Sequence, residues 1–240
     1  MDNVHIIIPA RFESSRFPGK PLKKILGKEM IIRVAEICKK VIGSKNLHIA
    51  TDNKKIFQLV RKKNFNSILT PKSCQTGTDR IAYASKKIKS NIILNVQGDE
   101  PLVKPSDIKK IIKLKKKNPK YVICGYAEIH NKKEVNSPNI IKVVKNTKNE
   151  LIYFSRSKIP ESKNKDNKKF HKQVCIYCFS KKQLEKFSKS KRSSIEKTED
   201  IELLRFLDLD IKIKMCKVSA TTAVDVPNDL KNVEKILKKN

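Results

Sequence analysis

The chain has 240 residues, 33% of them charged, and 55 basic against 24 acidic residues leave a formal charge of +31. That length builds one large domain with its own core, so no disulfide or metal staple is needed for stability. No run of about 18 apolar residues occurs, which excludes a membrane-spanning helix, and the N-terminus reaches Glu13 without a small-residue cleavage site, which speaks against a secretory leader.

The first apolar run, VHIIIPA at 4–10, is short and β-branched and predicts a buried strand. A polar loop follows to about Pro21, then a largely apolar helix over 29–42. Residues 46–52 predict a second strand, 53–63 a helix, and NSILT a third strand. After the loop SCQTGT, a helix is predicted from 78 to 89, then the apolar strand NIILNV at 91–96, closed by QGDEP. A helix over 106–117 follows, with Ser106 and Asp107 as candidate N-caps. Strand and helix thus alternate, which predicts βαβ units and a mixed, mostly parallel sheet flanked by helices, an α/β fold. Ligands of such sheets bind beyond the carboxyl ends of the strands, here at loops 10–21, 73–80 and 97–101.

The second half is richer in strands: YVICGYAEI, IIKVVKN, LIYFS and HKQVCIYCF. The charged stretch 161–169 reads as a mobile loop. A helix carrying Ile195, Leu203, Leu204 and Phe206 comes next, then the strand IKIKMCKV and a last helix from Pro227. No linker divides the chain, so residues 1–240 are expected to be one domain.

The charge raises the question of a nucleic-acid partner. Only 8 of the 55 basic residues are arginine, and the lysines are spread along the whole chain. Base and phosphate readout favours arginine forks, so a solvated basic surface that attracts small anions fits better than a basic nucleic-acid-binding protein. Cys175 and Cys178 form a single CxxC with no second pair for zinc. Their spacing places them on opposite faces of a strand, and core positions in a reducing cytoplasm explain the six cysteines. His5, His48 and His130 sit in no motif.

Three of the six glycines, Gly19, Gly77 and Gly98, fall in the three strand-end loops, and Arg11, Arg16 and Arg80 fall in the first two. The loop PARFESSRFPGKP carries Arg11, Arg16 and Lys20 with Ser14 and Ser15, a residue content suited to a polyphosphate. It is neither a Walker A loop nor a GxGxxG fingerprint. Asp99 and Glu100 follow an apolar strand, where a carboxylate can hold Mg2+ beside phosphates, and Asp225 offers a second carboxylate unless it caps the last helix.

In order, IIIPARFESSRFPGKPL, ATD at 50–52, QTGTDR at 75–80, NVQGDEPL at 95–102, KVV at 142–144, YFSR at 153–156 and AVDVPNDL at 223–230 resemble the 3-deoxy-manno-octulosonate (Kdo) cytidylyltransferase family, over nearly the full length. The resemblance implies a nucleotide-diphospho-sugar transferase fold. It also implies a homodimer, with roughly 130–190 serving the dimer contact and the sugar. The implied reaction joins CTP and Kdo into CMP-Kdo and pyrophosphate with Mg2+ in the cytoplasm, for lipopolysaccharide synthesis. Arg11, Arg16 and Lys20 would then hold the triphosphate, with Arg11, Lys20 and Asp99 as the catalytic set. Gln75, Gly77, Thr78 and Arg80 would border the cytosine and ribose, and Asp99 and Asp225 would carry metal. Gln97 and Arg156 would face the sugar acid.

Two places depart from the family pattern. Gln173 and Cys175 stand where His and Gly are usual, and IELLR keeps Glu202 and Arg205 but has Leu203 in place of Gln. Gln173 and Glu202 belong to segments that shape the sugar pocket, and Gln173 cannot carry charge as a histidine does. An 8-amino-Kdo, sialic or legionaminic type of sugar therefore stays open beside Kdo. A polyol phosphate fits Arg156 and QGDEP less well.

Overall fold

A computed structural model describes residues 3–13, 17–161 and 169–239. The chain opens with strand β1 (Val4–Ala10), a 3-10 turn at Lys20–Leu22, the short hairpin β2 (Lys24–Ile25) and β3 (Lys28–Glu29), and helix α1 (Met30–Ile42). The alternation continues through β4 (Leu47–Thr51), α2 (Lys54–Lys62), β5 (Asn66–Leu69), α3 (Gly77–Ser85), β6 (Ile92–Val96) and α4 (Pro105–Lys117). The second half holds β7 (Val122–Ile129), α5 (Lys132–Asn136), β8 (Lys142–Lys145), β9 (Leu151–Ser155) and β10 (Phe170–Ser180). It ends with α6 (Lys181–Lys189), α7 (Ser194–Glu199), α8 (Leu204–Asp208), β11 (Ile213–Lys217) and α9 (Pro227–Lys238).

Among the described residues one large sheet runs β11-β7-β10-β6-β1-β4-β5, with β8 joined to β10 and β9 to β8. Pairing is parallel through β6-β1-β4-β5 and between β7 and β11, and antiparallel where β10 meets β6 and β7. Strand β1 is an interior strand, paired on both edges, and Ile6, Ile7 and Ile8 are all fully buried. Both of its faces are covered, which is why its sequence is a continuous apolar run and does not alternate. Ile6 and Ile8 pack with α1, α2 and α4 on one face; Ile7 packs with α3, α6 and α8 on the other. The chain leaves β1 toward β4 and returns to the opposite side of β1 as β6. The crevice beyond the ends of β1 and β6 is therefore the switch point where such folds bind ligands.

Local chemistry sets the boundaries. Asn53 caps α2 by accepting from the N–H groups of Lys55 and Ile56, and Thr76 and Asp79 close a reciprocal capping box on α3. Helix α4 differs from the expected start. Pro105 takes its first helical position, so Lys104 is held extended in the cap place. Asp107 instead accepts from the Ser219 N–H at 3.0 Å. The helix expected around Ile195 to Phe206 is two helices, because Asp200 adopts a left-handed conformation (φ 50°) that ends α7. Helix α6 was not expected, although Ser180 and Gln183 spell its capping box. The hairpin β2–β3 packs under α9 around Ile25, Met30, Val224 and Val233.

Cys178 lies in the core with α4, and Cys175 on the other face of β10, as their spacing requires. Residues 162–168 of the charged loop lie outside the described residues. No helix among the described residues is long and apolar enough to cross a membrane.

Candidate active site

Beyond the ends of β1 and β6 lies a cavity of about 1030 Å3. Arg11, Lys20, Gln75, Gly77, Arg80, Gln97, Asp99, Arg156, Gln173, Glu202 and Asp225 all border it, so residues expected from seven separate stretches of sequence meet at one place. Ser14, Ser15 and Arg16 lie outside the described residues.

Lys20 is at the centre of one wall of the cavity, between two carboxylates. Gly19, with φ 67°, turns the chain in the left-handed region that glycine adopts without strain, and the following 3-10 turn aims Lys20 inward. Its Nζ lies 2.6 Å from Asp99 Oδ2 and 3.3 Å from Asp225 Oδ1. Burial alone would lower the Lys20 pKa, but Asp99 and then Asp225 outweigh it and raise the value. Asp225 is not the cap of the last helix. Val226 takes that position, and the Asp229 carboxylate one turn inside the helix accepts from the N–H groups of Asp225 and Val226 at 2.9 and 3.0 Å.

The QTGTDR loop builds a second wall. A Cβ on Gly77 would lie 3.0 Å from Gln97 Nε2 and 3.5 Å from Glu202 Oε2, so the loop approaches these side chains more closely than most residues allow. Glu202 Oε2 accepts from the Thr78 N–H at 2.9 Å. Thr78 itself is fully buried behind the wall. Arg80 is also nearly buried; its guanidinium donates to Asp52 at 2.6 Å and to Thr70. It thereby ties the ends of β4 and β5 to the cavity, which gives Asp52 of the ATD segment a structural use.

The third wall comes from the second half of the chain. Arg156 donates from Nε to the Glu199 carbonyl at 2.5 Å, from Nη1 to Pro138 at 2.9 Å and from Nη2 to Asp200 at 3.0 Å. Three of its five N–H groups are thus spent on backbone, and the buried Lys142 ammonium holds the Arg156 carbonyl from below. Gln173 and Cys175 border the same region. Gln173 Nε2 lies 3.8 Å from Cys124 Sγ, and burial pushes the Cys175 thiol well up, so it stays a neutral thiol.

Several lining residues had no sequence signal as site residues. Lys172 meets both oxygens of Glu134 at 2.9 Å across β10 and α5, a pairing that only tertiary structure creates. Thr221 and Thr222 come from the segment after β11. Glu100, the second carboxylate of QGDEP, is 3% exposed. Burial, then the charge of Asp99, pushes its pKa up to about 7, against smaller opposing effects of Thr221, the Cys175 N–H and Lys172.

The donor chemistry fits a hard divalent cation. Asp99 and Asp225 both reach one ammonium, so their oxygens converge on a single position where positive charge is stabilised. No group of three or more His, Cys, Asp or Glu side chains suited to a metal occurs among the described residues. Two carboxylates suit Mg2+, which keeps water and phosphate oxygens for the rest of its shell.

Comparison with known proteins gives the family. The cytidylyltransferase family profile matches residues 5–213. The 3-deoxy-manno-octulosonate cytidylyltransferase of Escherichia coli is 34% identical, over 99% of this chain and 97% of its own. The 8-amino-3,8-dideoxy-manno-octulosonate cytidylyltransferase of Shewanella baltica strain OS155 is 35% identical, over 98% of each. A solved structure of CMP:2-keto-3-deoxy-manno-octonic acid synthetase complexed with CTP superposes with a TM-score of 0.92 at 35% identity, over 99% of both chains. This chain is a nucleotidyltransferase and belongs to the 3-deoxy-manno-octulosonate cytidylyltransferase family.

Proposed function

We propose that the protein joins CTP and Kdo into CMP-Kdo and pyrophosphate, the activated form of Kdo used in lipopolysaccharide synthesis. The carrying observation is the single cavity in which Lys20, Asp99 and Asp225 stand beside Gln97, Gln173 and Arg156. A cation and two carboxylates suit a metal-bound triphosphate, and the uncharged amides suit a polyhydroxylated acceptor.

In this reading Arg11 and Lys20, with Ser14, Ser15 and Arg16 of the same loop, hold the triphosphate. Gln75 and Gly77 line the cytosine and ribose pocket, and Thr78 and Arg80 brace it from behind. Arg156 turns its remaining N–H groups to the sugar carboxylate, while Gln97 and Gln173 orient the sugar against Glu202. The anomeric oxygen forms its bond to the α-phosphorus as the bond to pyrophosphate breaks, and the hydroxyl proton passes to solvent. Holding both reactants in line supplies much of the rate. Mg2+, carried by Asp99 and Asp225, would offset phosphate charge and lower the pKa of the attacking hydroxyl. The same reading makes the protein a cytoplasmic homodimer with no nucleic-acid partner; sedimentation at working concentration tests the dimer.

A second reading, activation of 8-amino-Kdo, is favoured by a relative of that name at 35% identity, beside 34% for the Kdo enzyme, and by Gln173 in place of the usual histidine. Comparing kcat/KM for Kdo, 8-amino-Kdo and a sialic acid separates the two. A preference for Kdo supports the first, a preference for the amino sugar supports the second, and activity with sialic acid alone overturns both.

A further inference from the structure

Glu100 is the one carboxylate of the QGDEP loop with no assigned task. Its backbone is fixed by a turn, with its N–H on the Gln97 carbonyl and its own carbonyl accepting from Val103, both at 3.2 Å. The side chain is 3% exposed, yet it borders the cavity beside Gln173, Cys175 and Thr221. Its Oε2 is buried and has no hydrogen-bond partner among the described residues. A buried carboxylate oxygen left without a donor costs free energy, so a native site that keeps one has a use for it.

Among the described residues no cation is bonded to this oxygen. Lys172 is the cationic side chain whose charge Glu100 feels, and its ammonium is committed to both oxygens of Glu134. A metal fits poorly as well. Asp99 and Asp225 are 25% and 34% exposed and face one ammonium, whereas Glu100 lies beneath the surface and makes no three-carboxylate cluster with them. A phosphate brings no hydrogen to donate and is repelled by Asp99 and Glu100 together.

We propose that Glu100 is a specificity-determining residue whose Oε2 accepts a hydrogen bond from a hydroxyl of the acid-sugar acceptor. This rests on the acid-sugar reading above. A carboxylate acceptor at the cavity floor selects a polyhydroxylated ligand and rejects an analogue that lacks the matching hydroxyl, because the oxygen would again be buried unpaired. It also explains why the oxygen is orphaned without substrate.

The test is steady-state pyrophosphate release by the full chain with CTP and Mg2+, for wild type, Glu100→Gln and Glu100→Ala. CTP affinity and the Mg2+ concentration for half activity are measured alongside. The expected result is a sugar KM raised at least about tenfold in Glu100→Ala and less in Glu100→Gln, whose amide oxygen still accepts. CTP affinity and Mg2+ dependence stay within about twofold. An unchanged sugar KM, or a shift that falls on Mg2+, overturns the proposal. A second measurement needs no variant: single-deoxy analogues of the acid sugar are compared with wild type. One of them binding about tenfold more weakly supports the proposal, and equal binding of every analogue overturns it. Wild type releasing no pyrophosphate with any acid sugar would instead sink the function reading on which this rests.

Discussion

Lys20 Nζ lies 2.6 Å from Asp99 Oδ2, although 79 positions separate the two residues. The same ammonium reaches Asp225, 205 positions away. The Val224 N–H donates to the Asp99 carbonyl at 2.9 Å, and this link draws the two carboxylate-bearing segments together. One lysine thus ties the β1 loop, the β6 loop and the entry to α9 into a charged centre.

Replacing Lys20 by Met should leave the fold intact and cut kcat/KM for CTP by about 100-fold or more, the usual loss when one charge-stabilising donor is removed. Steady-state kinetics and far-UV circular dichroism check this together. Unchanged kinetics in a folded variant would remove Lys20 from the triphosphate site.

Arg205 shows a different use of charge. Its Nε and Nη2 donate to Glu196 at 2.6 and 2.7 Å, Nη1 donates to Asp79 at 3.0 Å, and the guanidinium stacks 3.7 Å from the Phe187 ring centroid. Glu196 is fully buried. Arg205→Met should cost about 1.5–3 kcal/mol of stability, because it removes two short charge-assisted bonds to the buried Glu196 and leaves that carboxylate with Arg192 at 3.2 Å and the Ser193 N–H. Urea denaturation measures this, and a loss under about 1 kcal/mol would contradict the pairing.

Gly77→Ala should act on the sugar side. The added methyl would press on Gln97 Nε2 at 3.0 Å, the end of a flexible side chain. Stability should fall by less than about 1 kcal/mol while the acceptor KM rises several-fold. A kinetically silent variant would show that Gln97 is not held in place by this wall.

His5 and His48 stack at the opposite end of the sheet, with Nδ1 of one 3.0 Å from Nε2 of the other. Burial, and then the charge of His5, lowers the His48 pKa from 6.5 to about 4; burial lowers that of His5 too. Both hold protons less well folded than unfolded. Their contribution is therefore complete above pH 6.5 and is lost as pH falls from there toward 4. The thermal midpoint of His48→Asn should decline less than that of wild type across this window, and parallel declines would refute the assignment.

The sequence was most informative where one local rule governs. The unbroken apolar run of β1 reported a strand covered on both faces, and glycine and arginine, scarce elsewhere, marked the loops that meet at the cavity. Helix α6 was missed because lysines fill most of its exposed face, leaving Leu184 and Phe187 as a thin apolar signal. The break at Asp200 was invisible because a left-handed aspartate looks like any helical polar residue. The Lys172–Glu134 pair and the orphaned Glu100 oxygen depend on how β10 folds against its neighbours, which no spacing encodes. Arg156 stood out in the sequence and borders the cavity, but its tethering to three backbone carbonyls was not legible there.

The most direct test of the account is phosphorus NMR of CTP, Mg2+ and freshly prepared Kdo with the protein. Equimolar appearance of pyrophosphate and a cytidine monophosphate ester of the sugar, abolished by EDTA or by omitting Kdo, is the predicted result. CTP left intact by a folded protein that binds it would contradict the assignment of Kdo as its acceptor.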